Sequence, residues 1–265
     1  PSEKWKMDKE NKELFIDIGR KRIMLEKYRK NIELLKQAVE TDAVIRPIAK
    51  HRKPDGSLDI EGNLLLWNKA LEPFEKTRLW EQGTPGFDDR DPLQEEPYFV
   101  FVPAPDEEKC RGTILVAHGG GFTWRTGTEG LNVAWYFHNA GFHTAILCYR
   151  LVPYTRFDAI ADMQRAIRIL RAKREEWKLG EKIAVMGFSA GGMLSGNCAT
   201  HYDFGNPQSE DETERFGCRP DAAVIGYGAM TAEMECVWRK PCRMRKYRMN
   251  CIFLHRACMD LAWLM

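Results

Sequence analysis

The strongest constraint on the fold of this chain is a serine between two glycines, in the segment 187–191, Gly-Phe-Ser-Ala-Gly. The run 182–186, Lys-Ile-Ala-Val-Met, predicts a buried strand directly before it, and the small and apolar residues after it predict a helix. A strand that meets a helix in this way places Ser189 on a sharp turn, with its hydroxyl above the sheet. Because a chain with 21 glycines produces this pattern by chance at times, its meaning depends on the neighbouring elements.

A second glycine-rich segment, residues 118–122 (His-Gly-Gly-Gly-Phe), follows another apolar run at 113–117. The backbone N–H groups of such a loop can receive a negatively charged oxygen, and so can the first N–H group of a helix. A nucleophile beside such an oxyanion hole is the arrangement that acyl transfer requires, most often in ester hydrolysis. We therefore interpret the two motifs as parts of one site.

Short apolar runs alternate with helical patterns from residue 98 to residue 227, which is typical of a parallel sheet with helices on both faces. The predicted strands are 98–102, 113–117, 144–148, 182–186 and 221–227, and the predicted helices are 128–140, 159–179 and 191–201. Residues 8–40 and 64–71 also have helical patterns. We interpret the segment 8–40 as an amphipathic helix packed on the main body, with a cap over an active site as the alternative.

Composition is that of a soluble globular protein, with 265 residues, 44% hydrophobic residues and a formal charge of +2. This charge gives no basic excess for nucleic acid or an anionic membrane, and no apolar run approaches the roughly 20 residues that span a bilayer. The N-terminus lacks the apolar core of a signal peptide, and the eight cysteines have no C-x-x-C spacing, so we expect a cytoplasmic protein with reduced thiols. The six histidines have no metal-binding spacing, and we expect neither a metal nor a cofactor.

The motifs resemble those of the α/β-hydrolase superfamily, and within it the hormone-sensitive-lipase-like and acetyl-xylan-esterase-like esterases. The similarity runs from about Leu79 to Met230 and includes 118–122, the segment 149–153 (Tyr-Arg-Leu-Val-Pro) and 187–192. The resemblance implies an α/β-hydrolase fold with a mostly parallel sheet, preceded here by helices. The last strands and the final helix of that fold are missing from the pattern, so we expect the sheet to be incomplete at its C-terminal edge.

The resemblance also implies the parts of a site for a small-molecule ester. These parts are the nucleophile Ser189, the oxyanion donors Gly120, Gly121 and Ala190, the loop supports His118 and Gly119, and the pocket residues Phe122 and Trp124. His118 lies inside the loop, so we expect it to hold the loop by hydrogen bonding and not to act as the base.

The acid and the base that should activate the serine are not in the expected order. In the resembled family, the acid follows the strand after 221–227 and the histidine follows the next strand. Residues 251–255 can form the first of these strands, with Asp260 just beyond it as a weak candidate for the acid. No histidine follows Asp260, and the remaining candidates for the base, His201 and His255, precede it.

The segment 233–265 differs in composition from the rest of the chain. It holds four of the eight cysteines, five of the eleven methionines and seven basic residues against three acidic ones, and it has no glycine. A basic patch for nucleic acid, a native tail packed through its Cys and Met residues, and a reading-frame error or truncation near residue 233 would each explain this, and we favour the third. We accordingly predict an N-terminal helical extension or cap (1–78), a hydrolase core (79–232) and an atypical tail (233–265).

These observations predict a serine ester hydrolase for small acyl groups such as acetyl, including carbohydrate-linked ones, with low activity if the histidine is absent. Two alternatives stay open. The missing histidine favours an inactive, small-molecule-binding relative on the same scaffold. The serine turn alone is shared with serine peptidases of the prolyl-oligopeptidase type, but the glycine loop and the segment 149–153 favour the esterases.

Overall fold

A computed structural model describes residues 25–41, 52–88, 90–228 and 250–254 of the chain. Seven strands within these ranges form one sheet in the order β1-β2-β4-β3-β5-β6-β7. The strands are β1 (Lys76–Arg78), β2 (Tyr98–Val102), β3 (Thr113–Ala117), β4 (His143–Cys148), β5 (Ile183–Phe188), β6 (Ala222–Gly226) and β7 (Asn250–Leu254). Strands β3 to β7 are parallel, whereas β2 is antiparallel to both of its neighbours. The predicted, mostly parallel sheet is therefore confirmed.

Helices cover both faces of this sheet. Residues 25–41 form helix α1. The later helices are α2 (Ile60–Leu71), α3 (Val133–Asn139), α4 (Arg156–Ala172) and α5 (Ala190–Thr200), with 3-10 turns at Glu107–Lys109 and Glu212–Arg215 and a π-helical turn at Thr128–Asn132. Helices α4 and α5 pack on one face, and α2 and α3 pack on the other. None of the helices in the described ranges is long and apolar enough to cross a membrane.

Side chains along the strands alternate between the two faces of the sheet. In β3, Leu115 packs with the core beneath α4 and α5, whereas Ile114 and Val116 pack with Val133 of α3. All five residues of β3 are buried, as are all five of β2. Each large apolar side chain buried in this way stabilises the fold by roughly 1.5–3 kcal/mol. Continuous apolar runs are thus the expected sequence of strands that are covered on both faces.

Helix α1 packs along the β2 side of the sheet. The ring of Tyr28 lies edge-on to Phe101 and Trp177, with centroid distances of 5.4 and 5.1 Å. The Asn31 amide donates to the carbonyl oxygen of Phe101 at 2.8 Å, beyond the three residues of β2 that pair with β1. Residues 25–41 therefore pack on the main body, three strands away from β5, and residues 8–24 of the predicted helix lie outside the described ranges.

The helix predicted at 159–179 is too long, because α4 ends at Ala172. The chain then turns, with positive φ at Lys178 (52°) and Gly180 (72°), and brings the Trp177 ring and Leu179 into the core. Burial of a large aromatic ring outweighs the helical propensity of this segment, because intrinsic propensity contributes little energy per residue.

The short strands β1 and β7 differ in whether the sequence predicts them. The sequence does not predict β1, because Lys-Thr-Arg has no apolar alternation, and yet this strand, inside the predicted extension 1–78, pairs with β2. The strand predicted at 251–255 is present as β7, parallel to β6. Residue 255 and the rest of the predicted tail after it lie outside the described ranges.

Candidate active site

Ser189 occupies a strained turn between β5 and α5. Its φ of 50° lies in the left-handed region that non-glycine residues rarely adopt. The Ser189 N–H group donates to the carbonyl oxygen of Gly226 at 2.8 Å, and the Met193 N–H group donates to the Ser189 carbonyl at 3.0 Å. The side chain is half-buried, and its hydroxyl has no hydrogen-bond partner among the described residues. The hydroxyl is thus held at the carboxyl end of the sheet without being used structurally.

The glycines on either side of the serine permit close backbone contacts. A Cβ atom on Gly191 would overlap the carbonyl oxygens of Ala117 and His118, at the end of β3. A Cβ atom on Gly187 would likewise overlap the carbonyl of Gly191. Helix α5 therefore begins directly against the segment that carries the glycine loop, which explains the spacing of the serine motif.

The glycine loop at 118–122 is fixed through its carbonyl groups. The Gly120 carbonyl oxygen accepts the N–H groups of Thr123 at 3.0 Å and Trp124 at 3.1 Å. The φ of Gly120 is 116°, and a Cβ atom there would overlap the carbonyl oxygen of Trp124. Because a trans peptide is planar, a fixed carbonyl also fixes the direction of the next N–H group, which belongs to Gly121.

Three backbone N–H groups in this region have no acceptor within the part of the chain that the structure describes, those of Gly120, Gly121 and Ala190. The Gly119 N–H group differs, because it donates to Oε2 of Glu129 at 2.8 Å. A Cβ atom on Gly119 would lie 3.0 Å from the carbonyl oxygen of Phe188, so the loop abuts the serine turn. Unpaired N–H groups next to a free hydroxyl can hold the oxyanion that forms on a carbonyl oxygen when that hydroxyl attacks the carbonyl carbon.

Both ring nitrogens of His118 are engaged. Nη1 of Arg125 donates to Nε2 at 3.2 Å, so Nδ1 carries the proton and donates to the Gly119 carbonyl at 2.6 Å. The ring stacks on Tyr149 with a centroid distance of 4.5 Å. Burial, together with the Arg125 guanidinium, lowers the pKa of His118 to about 3. The imidazole is therefore neutral, and by fixing the Gly119 carbonyl it sets the direction of the Gly120 N–H group.

Helix α2 supports Arg125 from beneath the loop. The Asn63 amide donates to the Arg125 carbonyl at 2.9 Å, and the Arg125 N–H group donates back to Asn63 Oδ1 at 2.9 Å. The hydroxyl of Tyr149 donates to the carbonyl oxygen of His118 at 2.7 Å. These buried hydrogen bonds hold the start of the loop on the main body, because breaking any one of them would leave a buried polar group without a partner.

The structure also brings Glu129 and Tyr227 to the site, two residues that the sequence analysis does not single out. Oε2 of Glu129 accepts the hydroxyl of Thr126 at 2.5 Å in addition to the Gly119 N–H group, and Oε1 accepts the Tyr227 hydroxyl. Burial and the hydrogen bond to Glu129 raise the pKa of Tyr227. The only signal in the sequence is the position of Tyr227 at the carboxyl end of a predicted parallel strand, where sites in such sheets form.

Phe122 is the last residue of the loop, Trp124 follows it, and both are half-buried. The Phe122 carbonyl accepts the Val152 N–H group at 2.8 Å, which joins the loop to the segment 149–153 after β4. That segment is fixed in turn by Arg150, which forms a bidentate, buried ion pair with Asp162 at 2.7 to 3.1 Å. The Tyr-Arg-Leu-Val-Pro segment is thus part of the framework around the loop.

The described ranges bring no histidine to the Ser189 hydroxyl. His201 lies at the far end of α5, about 18 Å from Ser189 by the helical rise of about 1.5 Å per residue. His138 is bonded to the Pro103 carbonyl, and His143 begins β4 at the amino end of the sheet. The other candidates, His255 for the base and Asp260 for the acid, lie outside the described ranges.

Comparison with known proteins shows which proteins this geometry resembles. A family model described as BD-FAE matches residues 100–229, from β2 to just beyond Tyr227. The crystal structure of the acetyl ester-xyloside bifunctional hydrolase from Caldicellulosiruptor lactoaceticus is 34% identical, with a TM-score of 0.56 and coverage of 60% of this chain and 59% of that chain. The chain has an α/β-hydrolase fold and is similar to carboxylesterases. The predicted fold class and the family resemblance are thereby confirmed.

Two curated relatives of this α/β-hydrolase are much longer than the chain. Endo-1,4-beta-xylanase B of Butyrivibrio fibrisolvens is 29% identical over 209 residues, which cover 75% of this chain and 30% of the xylanase. Acetylxylan esterase of Xylanibacter ruminicola is 31% identical over 102 residues, which cover 38% of this chain and 21% of the esterase. The α/β-hydrolase chain thus spans less than a third of the length of either relative.

Proposed function

We propose that this α/β-hydrolase is a serine carboxylic ester hydrolase that acts on small acyl groups, acetyl above all. The observation that carries the proposal is the free hydroxyl of Ser189 on its strained turn, beside the unpaired N–H groups of Gly120, Gly121 and Ala190. A structural serine would have no need of unpaired donors on the neighbouring backbone, whereas acyl transfer needs both.

In the proposed reaction, Ser189 Oγ attacks the ester carbonyl carbon while a base takes the hydroxyl proton. The carbonyl oxygen becomes an oxyanion, which the N–H groups of Gly120, Gly121 and Ala190 receive. Each such donor contributes roughly 3 kcal/mol to stabilising the transition state. The tetrahedral intermediate expels the alcohol, which takes up the proton, and leaves an acyl-enzyme at Ser189. Water then attacks the acyl group through a second tetrahedral intermediate and releases the carboxylic acid.

The proposed substrate is an acetyl ester carried on a carbohydrate. Two of the similar proteins are named as an acetylxylan esterase and an acetyl ester-xyloside bifunctional hydrolase, which supports this class. Phe122 is the last residue of the loop and Trp124 follows it, and we assign their rings to the wall of the acyl pocket. A wall of two aromatic rings beside the oxyanion donors suits a short, uncharged acyl group better than a charged one.

We propose that the general base comes from outside the described ranges. His118 has both ring nitrogens engaged, and His138, His143 and His201 are bonded or placed elsewhere. Of the six histidines, His51 and His255 remain, and His255 follows β7 in the sequence, after a strand parallel to β5. The carboxyl ends of parallel strands lie at the same end of a sheet, which favours His255 over His51.

The test is hydrolysis of p-nitrophenyl acetate by the parent chain and by Ser189→Ala. We expect the parent to turn over and Ser189→Ala to lose at least about a thousandfold in kcat. Ser195→Ala is the matched control, because Ser195 is a buried serine of the same helix α5, and it should keep the parent rate. Equal rates for the parent and Ser189→Ala would overturn the proposal. His51→Ala and His255→Ala, tested in the same assay, identify the base by a comparable loss.

A further inference from the structure

The carboxylate of Glu129 connects two strand ends that lie on either side of Ser189. In the sheet, β5 lies between β3 and β6. Oε2 accepts the N–H group of Gly119, just after β3, at 2.8 Å, and Oε1 accepts the hydroxyl of Tyr227, just after β6. Neighbouring strands are about 4.8 Å apart, so the hydrogen-bonded side chains of Glu129 and Tyr227 together link strand ends that lie about 10 Å apart across the carboxyl end of β5.

The first three peptide units of the glycine loop each have an anchor of their own. The Thr123 and Trp124 N–H groups hold the unit between Gly120 and Gly121, and His118 holds the unit before it. The unit between His118 and Gly119 is held on its carbonyl side by the Tyr149 hydroxyl and on its N–H side by Glu129. Three consecutive glycines would otherwise allow many backbone conformations, so the anchors decide which N–H groups remain free.

Tyr227 has the features of a residue fixed by its surroundings. Its φ of 36° is positive, although it is not a glycine, and its ring lies 5.8 Å from that of Phe188, next to the serine. Strained backbone of this kind persists only where neighbouring contacts enforce it, and it concentrates at functional sites. Glu129 itself lies on the π-helical turn Thr128–Asn132, another local distortion that is frequent at such sites.

We infer that Glu129 is a positioning residue of the oxyanion hole, and that Tyr227 holds its carboxylate in place. By occupying the Gly119 N–H group, Glu129 fixes the plane of the first peptide unit of the loop and leaves the N–H groups of Gly120 and Gly121 for the substrate. The inference rests on the proposed ester hydrolysis. Loss of the Glu129 carboxylate should therefore lower kcat more than it raises KM, because a disordered oxyanion hole weakens binding of the transition state more than binding of the ester.

The test combines steady-state kinetics on p-nitrophenyl acetate with inhibition by a trifluoromethyl ketone, which forms a tetrahedral adduct with a serine hydroxyl. We expect Glu129→Ala to lower kcat about a hundredfold and Tyr227→Phe about tenfold, with KM changed less than about threefold. The inhibition constant should rise by the same factor as kcat falls. Glu129→Gln should lie between the parent and Glu129→Ala, because its amide oxygen still accepts the Gly119 N–H group.

Glu214→Gln is the matched control, since Glu214 is a half-buried carboxylate that pairs with Arg165 and Arg168 and has no contact with the loop. It should keep the parent kcat and inhibition constant. The inference is overturned if Glu129→Ala keeps the parent kcat, if KM rises as much as kcat falls, or if Glu214→Gln loses as much kcat. If Glu129→Ala does not fold, Tyr227→Phe decides, because it keeps the ring and removes only the hydroxyl.

The parent and Ser189→Ala, measured in the same assay, test the proposed function separately. A parent that is active only with Ser189 present, together with an unaffected Glu129→Ala, overturns this inference alone. A folded parent without esterase activity overturns the proposed function and, with it, the inference.

Discussion

His118 and His143 lie at opposite ends of the central sheet and are alike in almost every electrostatic respect. His118 follows β3 at the carboxyl end, whereas His143 begins β4 at the amino end. Both imidazoles are buried, and both stack on an aromatic ring, His118 on Tyr149 and His143 on Phe101. Burial is the main cause that lowers the pKa of His118 to about 3 and the pKa of His143 to about 4.

The two ends differ in what happens to the backbone N–H groups around these histidines. At the amino end, these N–H groups have acceptors at 2.9 to 3.0 Å. The Ala104 N–H group donates to His143 Nδ1, and the Ile183 N–H group donates to the Asp221 carboxylate. The Thr113 N–H group donates to the Lys182 carbonyl, and the His143 N–H group donates to the Gly112 carbonyl. At the carboxyl end, the N–H groups of Gly120, Gly121 and Ala190 have no acceptor in the described ranges.

This difference teaches that a buried histidine with a low pKa does not by itself mark an active site. At the amino end, the buried imidazole of His143 accepts a backbone N–H group. At the carboxyl end, the buried imidazole of His118 holds a loop in which the N–H groups of Gly120 and Gly121 have no acceptor among the described residues. Because folded proteins pair nearly all of their buried backbone groups, the unpaired donors on the buried residues Gly120 and Ala190 are the stronger functional signal. Substitutions at the two ends of the sheet should therefore differ in their effects on stability and activity.

The largest contrast in stability should come from adding one methyl group beyond each end of β5, at Gly180 and at Gly191. In Gly191→Ala, the added Cβ overlaps the carbonyl oxygens of Ala117 and His118, so the helix or the loop must move, and we expect a loss of about 3 kcal/mol or more in the free energy of unfolding. Gly180→Ala, at the amino end, meets no atom closer than 3.7 Å and should cost about 1–2 kcal/mol through its positive φ. Urea unfolding measures both, and a loss in Gly191→Ala no larger than the roughly 1–2 kcal/mol expected for Gly180→Ala would show that Gly191 tolerates a side chain.

The next contrast is the dependence of stability on pH. The ordinary pKa of histidine is 6.5, so the unfolded chain binds protons below that pH while the folded protein keeps His143 neutral down to about pH 4. Stability therefore falls as the pH is lowered from 7 to 4, by roughly 3 kcal/mol for this group. We expect His143→Asn to be destabilised relative to the parent at pH 7, and to lose roughly 3 kcal/mol less than the parent between pH 7 and pH 4.

The same substitution at His118 should reduce the pH dependence similarly, since its folded-state pKa is about 3. Free energies of unfolding from urea titrations at several pH values provide the measurement. Parallel curves for the parent and both variants would mean that these imidazoles do not stay neutral in the folded protein.

The smallest contrast in energy is the most informative about function. His118→Asn keeps a donor for the Gly119 carbonyl but loses the acceptor for Arg125, so we expect the loop to shift and kcat to fall about ten- to a hundredfold. His143→Asn keeps an acceptor for the Ala104 N–H group and lies at the other end of the sheet, so its kcat should stay within about twofold of the parent. Rates on p-nitrophenyl acetate at pH 7 decide, and a similar kcat for both variants would contradict the comparison.

The sequence predicts the carboxyl end of the sheet well because its signals are local. The serine turn needs two glycines at fixed spacing, and the loop needs glycines where φ is positive, so both requirements are visible in short segments. The buried strands are likewise evident from their continuous apolar runs. The resemblance to α/β-hydrolase esterases rests on these segments and is confirmed by the comparisons.

The contacts that the sequence could not predict connect distant residues or depend on tertiary packing. Glu129 and Tyr227 are 98 positions apart, and only the strand order places Gly119, which Glu129 binds, and Tyr227 on either side of β5. The pairing of β1 with β2 is equally invisible in the three residues Lys-Thr-Arg. The end of α4 at Ala172 is set by the burial of Trp177 and not by a helix-breaking residue in the segment.

The central claim is that Ser189 is a nucleophile whose reactivity comes from the turn and the free N–H groups beside it. Its most direct test is covalent labelling by a fluorophosphonate, with the site read by mass spectrometry of the digested protein. We predict one phosphonyl group on Ser189, complete labelling of Ser195→Ala and none of Ser189→Ala. A folded parent that stays unlabelled, or a label on another serine that survives in Ser189→Ala, would contradict the claim.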